Sequence, residues 1–530
     1  MKGRIFAEEN RKWWTLAAVA FGLFMIMLDN TIVNVALPSI QRSLHMSISS
    51  LEWIVTAYAL TFAALLITGG KLGDFYGRRR MFVLGLAIFT ASSAACGLAG
   101  SPLTLNLARA VQGLGGAMMF ATSLALIAHA FHGRERGTAF GIFGGTIGAA
   151  VAVGPVVGGL ITAGAGWEWI FFINVPIGVA AVALTLRQVS ESSDPAARGV
   201  DWGGLVTFSG SLFLLVYALT QGNNKGWGST EILACLSAAA ALLVAFILVE
   251  RAQPRPMLDL TLFRLPAFAG ASIVAFAVSS SMFAMFLYLT LYIQDVLGYG
   301  PLQAGLRFLP ITLISFVVAP ISGRLSVRVP VRLLLGGGLL LVSAGLLAMT
   351  AIDAHSGWTT LIPGFLLAGA GVGLINPPLA STAVGVVHHT RSGMASGINN
   401  TFRQVGIATG IAGLGAVFTH TVRTHIVGLL SHAPLVSAAA AHRLAADVAQ
   451  GSGAAGGLAA VPARARPLAA HALRSSFVTG LNEVFLIGAV LTLVSAVLTF
   501  VLIRSRDFEA SAARSEAPAG QPAEAGAGVR

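Results

Sequence analysis

Two residues of opposite charge stand where an apolar chain should carry none. Asp29 lies in the run MIMLDNTIVNVALPSI and Arg109 in LNLARAVQGLGGAMM. A carboxyl held away from water can gain and lose a proton, and its proton affinity rises with desolvation and falls beside a guanidinium. Arginine stays charged throughout. The pair has the chemistry of a proton carrier with a fixed cation beside it, or of a static ion pair that fixes two helices; residue types alone leave both open. Charges at such depth are costly, which makes a functional role the default. Counted at helical rise, Arg109 lies ~10 Å below the surface near Pro102, and Asp29 ~12–16 Å below the same surface near Pro38. A second polar set, Asn399, Asn400, Arg403 and Gln404, falls in another apolar segment. Asn34, Gln112, Asn399, Arg403 and Gln404 are the candidate substrate-facing groups.

Other chemistries are poorly served. The only lysines are Lys2, Lys12, Lys71 and Lys225, none in a phosphate-loop context, so ATP-driven transport by this chain is excluded. The runs GAGVG (369–373) and GGTIG (144–148) lie inside apolar segments, where glycines serve packing. Cys96 and Cys235 are far apart in apolar surroundings and read as small buried hydrophobes. No metal, cofactor or nucleophile–base constellation is expected, and the chain is not read as an enzyme. The remaining energy source is an ion gradient, at ~2.3 kcal/mol per charge per 100 mV.

The elements that must position these groups are membrane helices. Of 530 residues, 55% are hydrophobic and 10% charged, and the mean hydropathy is +0.80. Lipid is the solvent such a composition demands. Fourteen apolar segments of spanning length are expected: 13–37, 51–70, 81–100, 103–127, 137–162, 168–187, 202–220, 230–250, 267–293, 303–323, 331–352, 358–380, 395–420 and 478–503. Most of the 33 lysines and arginines fall at the N-terminus and in alternate loops, which predicts both termini inside. The net charge of +12 therefore addresses membrane and anionic lipid, not nucleic acid. Glu52, Glu168 and Glu483 sit near segment ends and read as interfacial.

The order suggests duplicated halves. An N-terminal tail (1–12) precedes six segments in 13–190. Residues 191–260 hold a linker with two additional helices. Six further segments fill 261–505, with a long extracytoplasmic loop at 421–477 that reads either as a short amphipathic helix or as disorder. A low-complexity tail, 506–530, reads as disordered and cytoplasmic. GKLGDFYGRRR (70–80) has an echo in GRLSVRVPVR (323–332), where Val327 replaces Asp74 and Pro330 replaces Gly77. Segment five contains GTIGAAVAVGPVVGG (145–159), a glycine-lined stretch with an internal proline. That composition destabilises a soluble helix but lets membrane helices approach closely and bend.

Taken together, these motifs resemble the major facilitator superfamily, in its fourteen-helix drug:proton antiporter branch (EmrB/QacA type). LDNTIVNVALPSI (28–40) is similar to the helix-one motif of that branch, and RAVQGLGGA (109–117) to the helix-four motif, whose arginine the resemblance implicates in proton transfer. GKLGDFYGRRR supplies Gly70, Asp74, Gly77 and Arg78 of a cytoplasmic gate loop. Gly145, Gly154, Pro155, Gly158 and Gly159 match the antiporter helix, and SGINNTFRQVG (396–406) the penultimate helix. The resemblance implies an all-α integral membrane fold of two pseudo-symmetric six-helix bundles plus two inserted helices. It implies alternating access, with Asp29 and Arg109 in proton coupling and a small lipophilic substrate exchanged for protons in the inner (plasma) membrane of a bacterium. Two cargo readings stay open: drugs and toxic compounds broadly, or a single metabolite, siderophore or self-made antibiotic. A non-transporting sensor or scaffold has no use for an intramembrane pair. In a double-membraned bacterium a periplasmic adaptor would be a further partner.

Overall fold

The computed structural model describes residues 11–131, 133–193, 201–253, 256–326, 328–387, 392–431, 436–449 and 463–504. Among them, fourteen helices are long and apolar enough to cross a membrane, and there is no strand. The first six are α1 (Arg11–Leu44), α2 (Ile48–Tyr76), α3 (Arg78–Gly97), α4 (Pro102–Ala130), α5 (Gly133–Gly164) and α6 (Trp169–Gln188). Two inserted helices follow, α7 (Trp202–Lys225) and α8 (Thr230–Ala252). The last six are α9 (Pro266–Val296), α10 (Pro301–Leu325), α11 (Val331–Met349), α12 (Ile362–Gly385), α13 (Ser392–Leu430) and α14 (Arg466–Leu502). The expected tail 506–530 and most of 1–12 lie outside the described residues.

The two halves pack by the same rules. In the first, α1 packs on α4, α5 and α6, α4 on α2 and α3, and α3 on α6; in the second, α9 packs on α12, α13 and α14, α12 on α10 and α11, and α11 on α14. Glycines set these contacts, because in lipid helix association rests on close backbone approach. A Cβ on Gly115 of α4 would sit 2.6 Å from the Phe89 nitrogen of α3, and one on Gly371 of α12 would sit 2.5 Å from the Gly338 carbonyl of α11. Gly154 and Gly158 of α5 press on Thr31 and Ile32 of α1, as Gly406 and Gly410 of α13 press on Phe276 and Ser280 of α9. The repeat is thus written in paired glycines more than in the loop echo, whose Val327 lies outside the described residues.

The halves meet along two related seams, α5 on α10 and α2 on α13, and where α1 meets α9. Both are tight at the face opposite the chain termini. There Gly159 of α5 abuts Pro301 of α10, Gly305 of α10 abuts the Pro155 carbonyl, and Gln294 of α9 donates to the Val35 carbonyl of α1 at 2.7 Å. Toward the termini, Gly141, Gly144 and Gly145 of α5 have nothing within 4 Å of where a Cβ would point. The inserted hairpin lies on the α2–α13 seam. Its α7 packs on α8, α2 and α13, while only 17% of the apolar window of α8 is buried, which leaves α8 to lipid.

The expected loop 421–477 is largely helical in its described parts. Helix α13 runs on to Leu430 because Val422, Ile426 and Leu430 continue its buried face, and α14 begins at Arg466 with Ala469, Ala472 and Leu473 buried. Between them a short helix, Ala438–Ala449, buries Ala441, Leu444 and Ala445 against α13. Of the two readings of this alanine-rich stretch, the short amphipathic helix is the one present, with a narrow apolar stripe at helical spacing.

The paired glycines predict a graded response to bulk. Gly115→Val is expected to lower stability in detergent by about 1–3 kcal/mol or more, as overpacking does, while Gly145→Val, which enters open space, leaves it nearly unchanged. Thermal unfolding of the two purified variants measures the difference.

Candidate proton-coupling site

Asp29 and Arg109 meet in the middle of the first half. Arg109 Nη1 donates to Asp29 Oδ2 at 2.5 Å, and the two side chains are 1% and 0% exposed. Three further contacts orient the guanidinium. Its Nε donates to the Ile54 carbonyl of α2 at 3.0 Å, its Nη1 also to Gln112 Oε1 at 2.6 Å, and its plane lies 4.5 Å from the centre of the Tyr58 ring. Asp29 Oδ1 accepts from Gln112 Nε2 at 3.0 Å and from Asn174 Nδ2 at 3.3 Å. Asn174 in turn donates to Ser93 Oγ, and Ser93 to the Phe171 carbonyl. Residues of α1, α2, α3, α4 and α6 thus converge on one carboxylate. Burying two charges is tolerable only when partners satisfy them, as these do. Gln112 Oε1 and the Ile54 carbonyl accept from the same guanidinium, so Arg109 is held by more than its bond to Asp29.

Sequence reasoning paired Asp29 with Arg109 but did not find Asn174, Ser93 or Tyr58. The available signal was weak: a single asparagine in the apolar run FFINVPIG. It grouped Gln112 with substrate-facing residues, whereas the structure places Gln112 on Asp29. The rest of that set is scattered. Asn34 Nδ2 donates to the Asn30 carbonyl of its own helix, Asn399 to the Ala271 carbonyl of α9, and Arg403 to Asn376 Oδ1 of α12. Gln404 is buried on α13. Pro377 and Pro378 follow Asn376 within α12; Pro378 frees the Leu374 carbonyl, which accepts from Ser322 of α10 at 2.6 Å.

The α2–α3 turn holds the gate-loop residues. Arg78 binds Asp74 Oδ1 through Nε at 2.9 Å and Nη2 at 2.8 Å, so the acid is held within its own loop. Gly77 adopts φ +108°, and a Cβ there would also strike the Glu191 carboxylate at 2.7 Å. Glu191 accepts the Arg79 and Arg80 backbone N–H groups at 3.0 and 3.2 Å, capping α3. Gly70 makes only an ordinary 3.8 Å approach to Ala121; the close contact belongs to Gly73, 2.7 Å from Thr122 Cγ2. On the antiporter helix, Gly154, Pro155, Gly158 and Gly159 all lie in tight packing, and Gly145 does not.

One acid was misplaced. Glu52 is not interfacial but buried, 2% exposed, and accepts from Tyr288 Oη of the other half at 2.7 Å. Its position five residues into α2 suggests a surface; α7 and α13 cover it.

Known proteins bear on this geometry. A family model described as Major Facilitator Superfamily matches residues 19–411. The chain is 39% identical over 404 residues to the multidrug resistance protein Stp of Mycobacterium tuberculosis (strain CDC 1551 / Oshkosh), covering 76% of this chain and 75% of that one. It is 34% identical over 489 residues to the tetracenomycin C resistance and export protein of Streptomyces glaucescens, covering 92% and 91%. A solved bacterial homologue of the human lysosomal transporter Spinster, inward-facing and occupied, matches with a TM-score of 0.61 at 16% identity, over 94% of this chain and 98% of that one. At that identity the likeness is one of fold.

The network predicts strong coupling between its two charges. Asp29→Asn alone strands Arg109 and is expected to cost about 3–5 kcal/mol of stability, as is Arg109→Gln. The double variant D29N/R109Q removes both charges and is expected to recover most of that loss. A double-mutant cycle on thermal unfolding reads the coupling, and simple additivity of the two losses would show there is none.

Proposed function

Because the chain belongs to the Major Facilitator Superfamily, a family of membrane transporters, we propose that it exports lipophilic drugs or antibiotics in exchange for protons by alternating access. The observation that carries this reading is the buried Asp29–Arg109 network, placed at the centre of the half formed by α1–α6. On the proposed topology both termini are cytoplasmic, in the plasma membrane of a bacterium. The seam is then shut on the outer side, and Gly141, Gly144 and Gly145 toward the inner end of α5 face open space.

In this cycle Asp29 carries the proton. Ionised, it makes a neutral pair with Arg109; protonated, it leaves the guanidinium to the two acceptors it already shares, Gln112 Oε1 and the Ile54 carbonyl. Protonation therefore leaves the Arg109 charge on the mobile half as it tilts, one positive charge more than the ionised pair carries. Gly154, Pro155, Gly158 and Gly159 keep α5 close to α1 and α10, limiting leak while the carrier is empty. Asp74 and Arg78, held to each other here, form the inner latch when the halves close on that side. One proton entering per neutral drug leaving uses both voltage and pH difference; one per monocation moves no net charge and uses the pH difference alone.

The narrower cargo reading has its own support. One relative is described as a resistance and export protein for tetracenomycin C, which suits a dedicated antibiotic exporter. A susceptibility panel separates the two, since broad resistance lost with an uncoupler marks a multidrug pump and resistance to one compound class marks a dedicated one.

The decisive test is proton movement in proteoliposomes loaded with a pH-sensitive dye. Adding ethidium, puromycin or tetracenomycin C is expected to release protons through the wild-type protein. D29N/R109Q, charge-free and shape-preserving, is expected to release none while still passing drug down its gradient. Proton release at the wild-type rate from that variant would remove Asp29 from the mechanism.

A further inference from the structure

Glu52 is a second buried carboxyl, and the Asp29 mechanism makes no use of it. It sits at the seam itself, on α2, with its bond to Tyr288 of α9 crossing from one half to the other. Tyr288 is held by stacking on Phe418 of α13 at 4.5 Å, and a Cβ on Gly415 of α13 would overlap both the Glu52 carboxylate and the Tyr288 hydroxyl. The carboxyl is therefore enclosed only while the halves are together.

No cation faces it among the described residues. From α9 comes Tyr288, from α13 Gly415, Ala416 and Thr419, and from α7 Thr220, Asn223 and Asn224. The nearest cation along α13, Arg423, is spent on the Asn223 carbonyl and Asn224 Oδ1 at 3.0 Å each, and Lys225 at the end of α7 pairs with Glu231. On α4, Arg109 is engaged with Asp29 and with Ile54, half a turn beyond Glu52 on α2. An unpaired carboxylate buried with one hydrogen bond is costly, whereas the neutral acid is not. Beside Glu52 runs a cleft of about 10 Å³, the room one water takes, lined by Ser49, Thr220, Asn223 and Thr419 and rimmed by the exposed Asn224. It gives the carboxyl a polar route to the face opposite the termini.

We propose that Glu52 is a second proton-binding residue, whose protonation from that face permits the two halves to close over it and whose deprotonation drives them apart there. Closing over Glu52 then follows proton uptake from the outer side, the order an exporter needs: cargo leaves, a proton arrives, the outer seam shuts. Tyr288 is the positioning residue, its hydroxyl donating to the acid in the shut state. The inserted helix α7 completes the enclosure, bonding Ser49 of α2 through Asn224 at 3.3 Å and the Ala416 carbonyl of α13 through Asn223 at 2.5 Å. The inference borrows from the proposed function only the ion and the sidedness; the motion it describes can be read without transport.

The experiment is a distance measurement between nitroxide labels at Gly100→Cys in the first half and Ala351→Cys in the second, both on the face opposite the termini. It uses the full chain in nanodiscs with Cys235 replaced by serine, Cys96 being fully buried. Raising the pH from 5.5 to 8.5 is expected to populate a longer distance. Glu52→Gln, which mimics the neutral acid, is expected to hold the short distance throughout. Tyr288→Phe keeps the acid and loses the hydroxyl, and is expected to open at a pH lower by roughly one unit. The same shift in D29N/R109Q would show that the gate works even if the Asp29 reading fails. A pH-dependent opening in Glu52→Gln equal to that of the wild type would overturn the proposal, as would a wild-type distance that never changes.

Discussion

A carboxylate and a guanidinium locked together in hydrocarbon constrain everything around them. Neither can be left alone without a penalty of several kcal/mol, so every lone pair and donor of the pair must be met by something rigid. Four helices converge on α1 for this: the Ile54 carbonyl and Tyr58 from α2, Gln112 from α4 itself, Asn174 from α6, and Ser93 from α3 behind it. The polar centre of the first half ties those helices to α1. Alternating access then concentrates at the seams, which are built from glycine and from single hydrogen bonds such as Gln294 to the Val35 carbonyl.

The charged pair was legible in the sequence because charges in apolar segments are conspicuous and helical rise fixes their depth. Fourteen spans were legible for the same reason: composition leaves few alternatives for runs that apolar. Neutral polar groups were not. Asn174 and Ser93 look like ordinary small polar residues of membrane helices until the rotation of α3 and α6 is known, and rotation is set by packing. Glu52 was misread because depth along one helix says nothing of what lies beside it. Only the arrival of α7 and α13 turns a residue near a helix end into a buried one.

The glycines teach a related lesson. Spacing alone marks Gly141, Gly144, Gly145, Gly154 and Gly158 as equivalent candidates for close packing, yet only Gly154 and Gly158 press on α1. In the gate loop, Gly77 is fixed by a left-handed backbone and by Glu191, a residue more than a hundred positions away in the chain. A one-dimensional pattern shows where backbones are able to approach; the partner decides where they do.

The hairpin α7–α8 breaks the equivalence that the paired halves otherwise preserve. It covers the α2–α13 seam and leaves its counterpart between α5 and α10 facing the bilayer. Lipid therefore meets two seams of one design, one curtained by an added helix and one bare. The added pair of helices thereby does more than lengthen the chain: it makes a two-fold arrangement unequal in the plane of the membrane.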